Sequence, residues 1–295
     1  MRLNLAYSPC PNDTFIFHAI AEGKVASGGF EFDIRLADIE ALNELAATGA
    51  ADVVKVSYAA YGHIANDYVL LRSGGALGRG VGPLIVARDP HLDLAGTRVA
   101  IPGGRTTANL LLRLLRTDLE LVEMRYDQIM PAVADGRVAA GLIIHESRFT
   151  YMDHGLHSLL DLGAWWEDEV GHLVPLGAIV AKRSLGPEVH AALTELIRTS
   201  LLHATADPAA AGDYVARHAQ EMSPDVRQRH IDLYVNEYSL DVGSEGEAAV
   251  RELLARAVAR GLFAPLECAP FAQATEPVRR AGPNVPDHAP SAEVV

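Results

Sequence analysis

The chain has 295 residues, 49% of them hydrophobic and 21% charged, which supports a substantial core, excludes global disorder and sets a prior of two domains. Lys and Arg number 25 against 38 Asp and Glu, a net charge of −13, so the chain lacks the basic footprint of a non-specific nucleic-acid binder. No stretch approaches the roughly 20 apolar residues of a membrane span, no signal-type apolar run follows Met1, and Cys10 and Cys268 cannot build a disulfide framework, so the expectation is a cytoplasmic protein with neither membrane nor nucleic-acid partners.

The first 180 residues alternate short apolar runs with helical patterns. Residues 3–7 read as a strand, 13–22 as a helix stopped by Gly23, and 30–36 as a second strand. Asp38 caps a helix carrying Ile39, Leu42 and Leu45 on one face and ended by Gly49. Residues 52–56 form a strand with Ser57 as the cap of a short helix, and 68–71 and 84–87 are further strands. The alternation predicts an α/β protein with a largely parallel sheet.

A second unit opens near Asp93. It has strands at 98–101, 122–125, 138–144 and 159–162, and helices from Thr106 and from a cap at Asp127, with Pro131 near the end of the first turn. Residues 176–181 are an apolar strand that returns the chain to the first unit. Helices follow from Pro187, after Asp207-Pro208, after Ser223-Pro224 and from a capping box of Ser244 and Glu247. The expected plan is a discontinuous domain of residues 1–89 and 179–275, an inserted domain of residues 90–178, and a Pro-rich tail at 276–295 that is expected to be mobile. Two such lobes leave a cleft into which strand-to-helix loops open, the usual ligand position in α/β sheets.

Five segments have the residue types for chemistry at such a cleft. Ser8-Pro9-Cys10-Pro11-Asn12-Asp13-Thr14 reads either as a stiff site edge or as a turn with helix caps. In Lys55-Val56-Ser57-Tyr58, Lys55 interrupts an apolar strand and shares a face with Ser57; it either snorkels to solvent or pairs with an anion. Leu77-Gly78-Arg79-Gly80-Val81-Gly82-Pro83 precedes a strand and lacks the Lys-Ser/Thr of a phosphate loop; it is either a plain flexible loop or one in which Arg79 holds a carboxylate. Pro102-Gly103-Gly104-Arg105-Thr106-Thr107-Ala108-Asn109 opens a helix, and free N–H groups there bind anions unless Thr106 is simply an N-cap. Gly141-Leu142-Ile143-Ile144-His145-Glu146-Ser147-Arg148-Phe149 places His145 at the C-terminal end of a strand, where a neutral imidazole suits general-base work. The remaining histidines show no metal-ligand spacing, so no metal is expected. Trp165-Trp166 reads as core ahead of a ligand lid.

These segments in this order resemble the 1,4-dihydroxy-6-naphthoate synthase family of the futalosine route to menaquinone. The likeness runs over about residues 2–262 and takes in Leu162-Gly163-Ala164-Trp165-Trp166 and Pro175-Leu176-Gly177-Ala178. It implies a two-lobed fold similar to type II periplasmic binding proteins and a lyase that needs no metal or redox cofactor. The implied small-molecule substrate is cyclic dehypoxanthinyl futalosine, an aromatic carboxylate with a sugar remnant. The resemblance implies His145 as the base, with Lys55, Val56, Ser57, Thr107 and Ala108 as substrate contacts. Arg79 and Asn12 join them as candidate contacts from the reading of their loops. The rival expectations are a solute-binding protein of the same fold, the related chorismate dehydratase and an effector domain of a transcription factor. No helix-turn-helix pattern supports the last of these.

Overall fold

The computed structural model describes residues 1–219 and 223–273; the segment expected to form a mobile tail lies outside them. β1 (Arg2–Tyr7), α1 (Pro11–Ala21), β2 (Glu31–Leu36), α2 (Ile39–Ala47), β3 (Val53–Ser57), α3 (Tyr58–Ile64), β4 (Tyr68–Leu70) and β5 (Ala76–Gly78) build the first lobe. The second lobe holds β6 (Leu84–Ala87), β7 (Arg98–Ile101), α4 (Thr107–Leu115), β8 (Glu120–Glu123), α5 (Tyr126–Ala134), β9 (Ala140–Ile143), α6 (Ser147–Thr150), β10 (His157–Asp161) and α7 (Leu162–Val170). β11 (Val174–Lys182) returns to the first sheet, and α8 (Pro187–Ala206), α9 (Pro208–His218), α10 (Pro224–Tyr234), α11 (Glu237–Leu240) and α12 (Gly243–Ala259) follow.

The sheets run β2-β1-β3-β11-β4, with β5 also on β11, and β10-β6-β9-β7-β8. Both are mixed rather than largely parallel. β1 lies parallel to β2 and β3, and β7 parallel to β8 and β9. The strands next to the lobe crossings run the other way: β6 is antiparallel to β9 and β10, and β11 to β3, β4 and β5. A strand entering or leaving a lobe without a crossover helix has to reverse direction. β6 pairs in the second sheet although it precedes residue 90, and β11 begins in the first sheet at Val174. The chain therefore changes sheets between Gly78 and Leu84.

Three local expectations are corrected. α1 starts at Pro11, two residues before the expected start, with Cys10 in the N-cap position, so Asn12, Asp13 and Thr14 lie in its first turn rather than at the cap. α5 starts at Tyr126 with Arg125 at the N-cap; Asp127 bonds Arg125 instead of capping, and Pro131 sits inside the helix. Ser244 and Glu247 form no capping box, because α12 begins at Gly243 with Val242 at the N-cap and Ser244 lies inside the helix; Glu247 pairs with Arg72 instead. A capping box forms instead on the unanticipated α11, between Asn236 and Ser239. Trp166 is fully buried and donates its indole N–H to Leu173 O at 3.1 Å.

One apolar cluster spans both lobes, joining Val54 and Val56 of the first sheet to Leu111, Leu142 and Trp166 around the second. At the crossing two glycine backbones touch. A Cβ on Gly163 would lie 2.6 Å from Gly82 Cα, a backbone atom that cannot rotate away. Gly163→Ala should therefore cost about 1–3 kcal/mol through overpacking, read as a lower urea midpoint at unchanged slope. Gly212→Ala, inside α9 with nothing within 4 Å of the new Cβ, should instead add roughly 0.5–1 kcal/mol of stability through helix propensity, read as a higher midpoint.

Candidate functional site

The C-terminal ends of β1, β3 and β9 and the start of α4 open into one pocket, with about 700 Å³ of atom-free space out to its mouth. Ser8, Asn12, Asp13, Lys55 and Ser57 line it from the first lobe, and Thr107, Ala108, His145 and Arg148 from the second. His230 and Tyr234 of α10 close one side. Of the sequence-derived candidates, the fold brings together Asn12, Lys55, Ser57, Thr107, Ala108 and His145. It does not bring in Val56 or Arg79. Val56 is fully buried in the core, since strand alternation turns it away from the face shared by Lys55 and Ser57. Arg79 is largely exposed and pairs with Glu245 at 3.0 Å outside the pocket.

Lys55 does not snorkel. Its Nζ lies 2.7 Å from Asp13 Oδ1 and donates to Gly74 O at 3.1 Å, and both charged side chains are almost fully buried. The anion that Lys55 requires is thus the protein's own. Asp13 also accepts from Ser8 Oγ (2.6 Å), Ser8 N (3.2 Å) and Asn12 Nδ2 (3.1 Å). The Pro9 and Pro11 turn presents these donors to one carboxylate, and Asn12 Oδ1 is left facing His230 Nε2 at 3.1 Å.

Thr106 caps α4, its Oγ1 accepting from Asn109 N at 3.2 Å. The N–H groups of Thr107 and Ala108 are orphaned by helix geometry and have no acceptor among the described residues. Thr107 Oγ1 ties the lobes by donating to Leu176 O (2.7 Å) and accepting from Ala59 N (3.2 Å). Glu40 adds a second tie. It accepts from Asn43 Nδ2 at 3.0 Å in its own lobe and from Arg105 N at 3.2 Å across the cleft, and burial raises its carboxyl pKa. These ties hold the helix start and its free donors against the first lobe.

His145 follows β9 with φ +56°, the one non-glycine residue with positive φ among the described residues. That conformation costs roughly 1–2 kcal/mol for an L-residue, and such strain persists where the surroundings over-determine it. The ring meets Tyr126 edge-on at 5.3 Å and stacks on His230 at 6.2 Å and 16°. It makes no hydrogen bond to a described protein group, so its nitrogens are free for a ligand. Burial pushes its pKa down to about 4; Asp13 pulls the other way and Lys55 adds to the fall. The imidazole is therefore neutral near pH 7.

Among the described residues, no group of three or more His, Cys, Asp or Glu could hold a metal ion, and no helix is long and apolar enough to cross a membrane. Sequence reasoning missed His230, Tyr234 and the role of Asp13. A buried Lys in a strand was the available signal for an acid such as Asp13. Nothing local marks His230, which sits mid-helix and far along the chain.

A family model described as menaquinone biosynthesis matches residues 3–259. The chain is 55% identical over 263 residues to a 1,4-dihydroxy-6-naphtoate synthase of Thermus thermophilus, covering 89% of this chain and 96% of that one. A crystal structure of a protein from Archaeoglobus fulgidus is similar with a TM-score of 0.85 at 37% identity, over 89% of this chain and 98% of that one. The alkanesulfonate-binding protein of Xanthomonas axonopodis pv. citri, bound to MOPS, is similar with a TM-score of 0.69 at 17% identity, over 90% and 95%. That last likeness concerns the fold alone, which is periplasmic-binding-protein-like.

The depressed His145 pKa carries a stability consequence. Above pH 6.5 neither the native nor the unfolded ring holds a proton. Between 6.5 and about 4 the unfolded chain gains a proton that the native state does not, so each unit by which pH is lowered costs on the order of 1 kcal/mol of stability. The urea midpoint should therefore fall less between pH 6.5 and 4.5 in His145→Gln than in the unaltered protein.

Proposed function

The chain belongs to the 1,4-dihydroxy-6-naphthoate synthase family of menaquinone biosynthesis, and from that premise we propose that it is a carbon–carbon lyase acting on cyclic dehypoxanthinyl futalosine. It releases the sugar remnant and leaves 1,4-dihydroxy-6-naphthoate. The observation that carries this reading is the neutral, unbonded His145 imidazole in the same pocket as the free N–H groups of Thr107 and Ala108.

The substrate carboxylate binds at the start of α4, where two N–H donors and the positive end of the helix dipole meet an anion. Ser57 Oγ, within 3.4 Å of Asn43 Nδ2, keeps its own proton for a substrate oxygen. Lys55 is already neutralised by Asp13, so it shapes the wall rather than binding the carboxylate directly. The apolar part of the pocket, with Ile39, Val81, Pro83, Ile144 and Leu176, takes the aromatic ring.

With the ligand anchored, His145 accepts the proton of a sugar-remnant hydroxyl. The sugar ring then opens, and the oxygen left on the spiro carbon becomes a carbonyl as the C–C bond to the remnant breaks in retro-aldol fashion. The sugar remnant, in its ketose form, takes up the released electron pair as an enolate that is then protonated, and the second ring, now a 1,4-diketone, becomes aromatic by enolisation. All electrons stay within the substrate, so the step calls for no redox partner. A base with a pKa near 4 is always available but drives proton transfer weakly. A bound carboxylate raises that pKa, because a nearby anion favours imidazolium. Lobe closure and anchoring at the helix start supply position.

Incubation with cyclic dehypoxanthinyl futalosine should yield the naphthoate, followed by its absorbance, while chorismate stays unchanged. Saturable binding with no turnover would overturn the lyase reading in favour of a solute binder. His145→Ala should lower kcat by about 10²–10⁴-fold; a loss within about threefold would remove His145 as the base. The acid limb of kcat/KM should lie near pH 4, and that of kcat above it, since the first reports the free enzyme and the second the complex.

A further inference from the structure

His230 is 0% exposed, lies on α10 outside every sequence motif, and lines the pocket with its ring stacked on His145. Its tautomer follows from its neighbours. Asn12 Nδ2 donates to Asp13 Oδ1. The reversed amide would set Oδ1 against a carboxylate oxygen that is already an acceptor for Lys55. Asn12 Oδ1 therefore faces His230 Nε2, and because an amide oxygen only accepts, Nε2 carries the proton. Burial foremost, with the charge of Lys55 adding to it, holds the ring neutral. The lone pair is consequently on Nδ1, which is buried and has no hydrogen-bond partner among the described residues.

A buried acceptor with no donor carries a desolvation penalty that a ligand hydroxyl can relieve. The cavity wall holds two imidazoles, His145 and His230, with centroids 6.2 Å apart. We propose that His230 Nδ1 accepts a hydrogen bond from a hydroxyl of the substrate's sugar remnant other than the one His145 deprotonates. Lys55, Asp13 and Asn12 are then positioning residues in series. Lys55 anchors Asp13, Asp13 orients the Asn12 amide, and Asn12 sets the proton on Nε2 of His230. This deepens the lyase reading and rests on it for the identity of the hydroxyl, whereas the tautomer stands without it.

Two measurements test the inference. In 15N-labelled, ligand-free protein, His230 should show a protonated Nε2 and a bare Nδ1 at pH 7; the opposite tautomer overturns the proposal whatever the enzyme does. In turnover, His230→Asn keeps an acceptor oxygen near the Nδ1 position, while His230→Gln keeps a donor near Nε2 and loses that acceptor. His230→Gln should lower kcat/KM by about 10–100-fold, and His230→Asn should lose clearly less. Equal losses in the two variants, or a His230→Gln loss within about threefold, would overturn the proposal while leaving the lyase reading intact. No product from the unaltered protein would instead sink the lyase reading. Should either variant fail to fold by circular dichroism, the 15N measurement on the unaltered protein decides.

Discussion

The buried pair of Lys55 and Asp13 organises the site. Two opposite charges 2.7 Å apart, each almost wholly removed from water, are costly to desolvate, and their attraction offsets that cost only when the remaining donors and acceptors are also satisfied. Here they are largely satisfied: Gly74 O takes a second Lys55 proton, and Ser8 and Asn12 complete the carboxylate. Removing one partner from such a pair commonly costs about 3–5 kcal/mol. The same pair fixes the loop between β1 and α1, orients Asn12 and, through Asn12, binds α10 to the cleft. A single electrostatic requirement therefore joins the first strand, the third strand and a helix near the end of the described chain.

Around this pair the lobes are pinned at a few polar contacts. Glu40 reaches across to Arg105 N, Thr107 Oγ1 to Leu176 O, and Arg148 to Gly82 O at the crossing. Each involves a backbone group, so each constrains the path of the chain as well as one side chain. The glycines at 82 and 163 let two backbone segments approach more closely than any Cβ would allow. These contacts place the start of α4 beside the end of β3. The pocket is thus a product of two lobes, with the free N–H groups on α4 in one and Ser57 at the end of β3 in the other.

His145 occupies the opposite electrostatic regime. Its ring has aromatic neighbours and no hydrogen-bonded partner, and burial outweighs the pull of Asp13, so the neutral form prevails. The strained φ after β9 turns the chain sharply there. Charge is concentrated and satisfied at Asp13, while unsatisfied acceptor capacity is kept at two imidazoles. That division suits the proposed reaction, which binds an anion at one end of the site and handles hydroxyl protons at the other.

Much of this was legible in the residues. Alternating strands and helices, Asp38 and Thr106 as caps, the reactive cluster at the end of β9 and the glycine loop before β6 depend on local periodicity and turn chemistry, which act over a few residues. The short strand β5, the start of α5 and the absent box at Ser244 were not, because pairing with β11, Arg125 at the N-cap and a helix start at Gly243 decided them. The sequence by itself determined an α/β chain with His145 after an apolar strand and free donors at a helix start. Only the tertiary structure decided that Lys55 meets Asp13, that Arg79 stays outside with Glu245, and that His230 enters the pocket. Those outcomes depend on charges and hydrogen bonds between residues up to 218 positions apart, which no local pattern encodes.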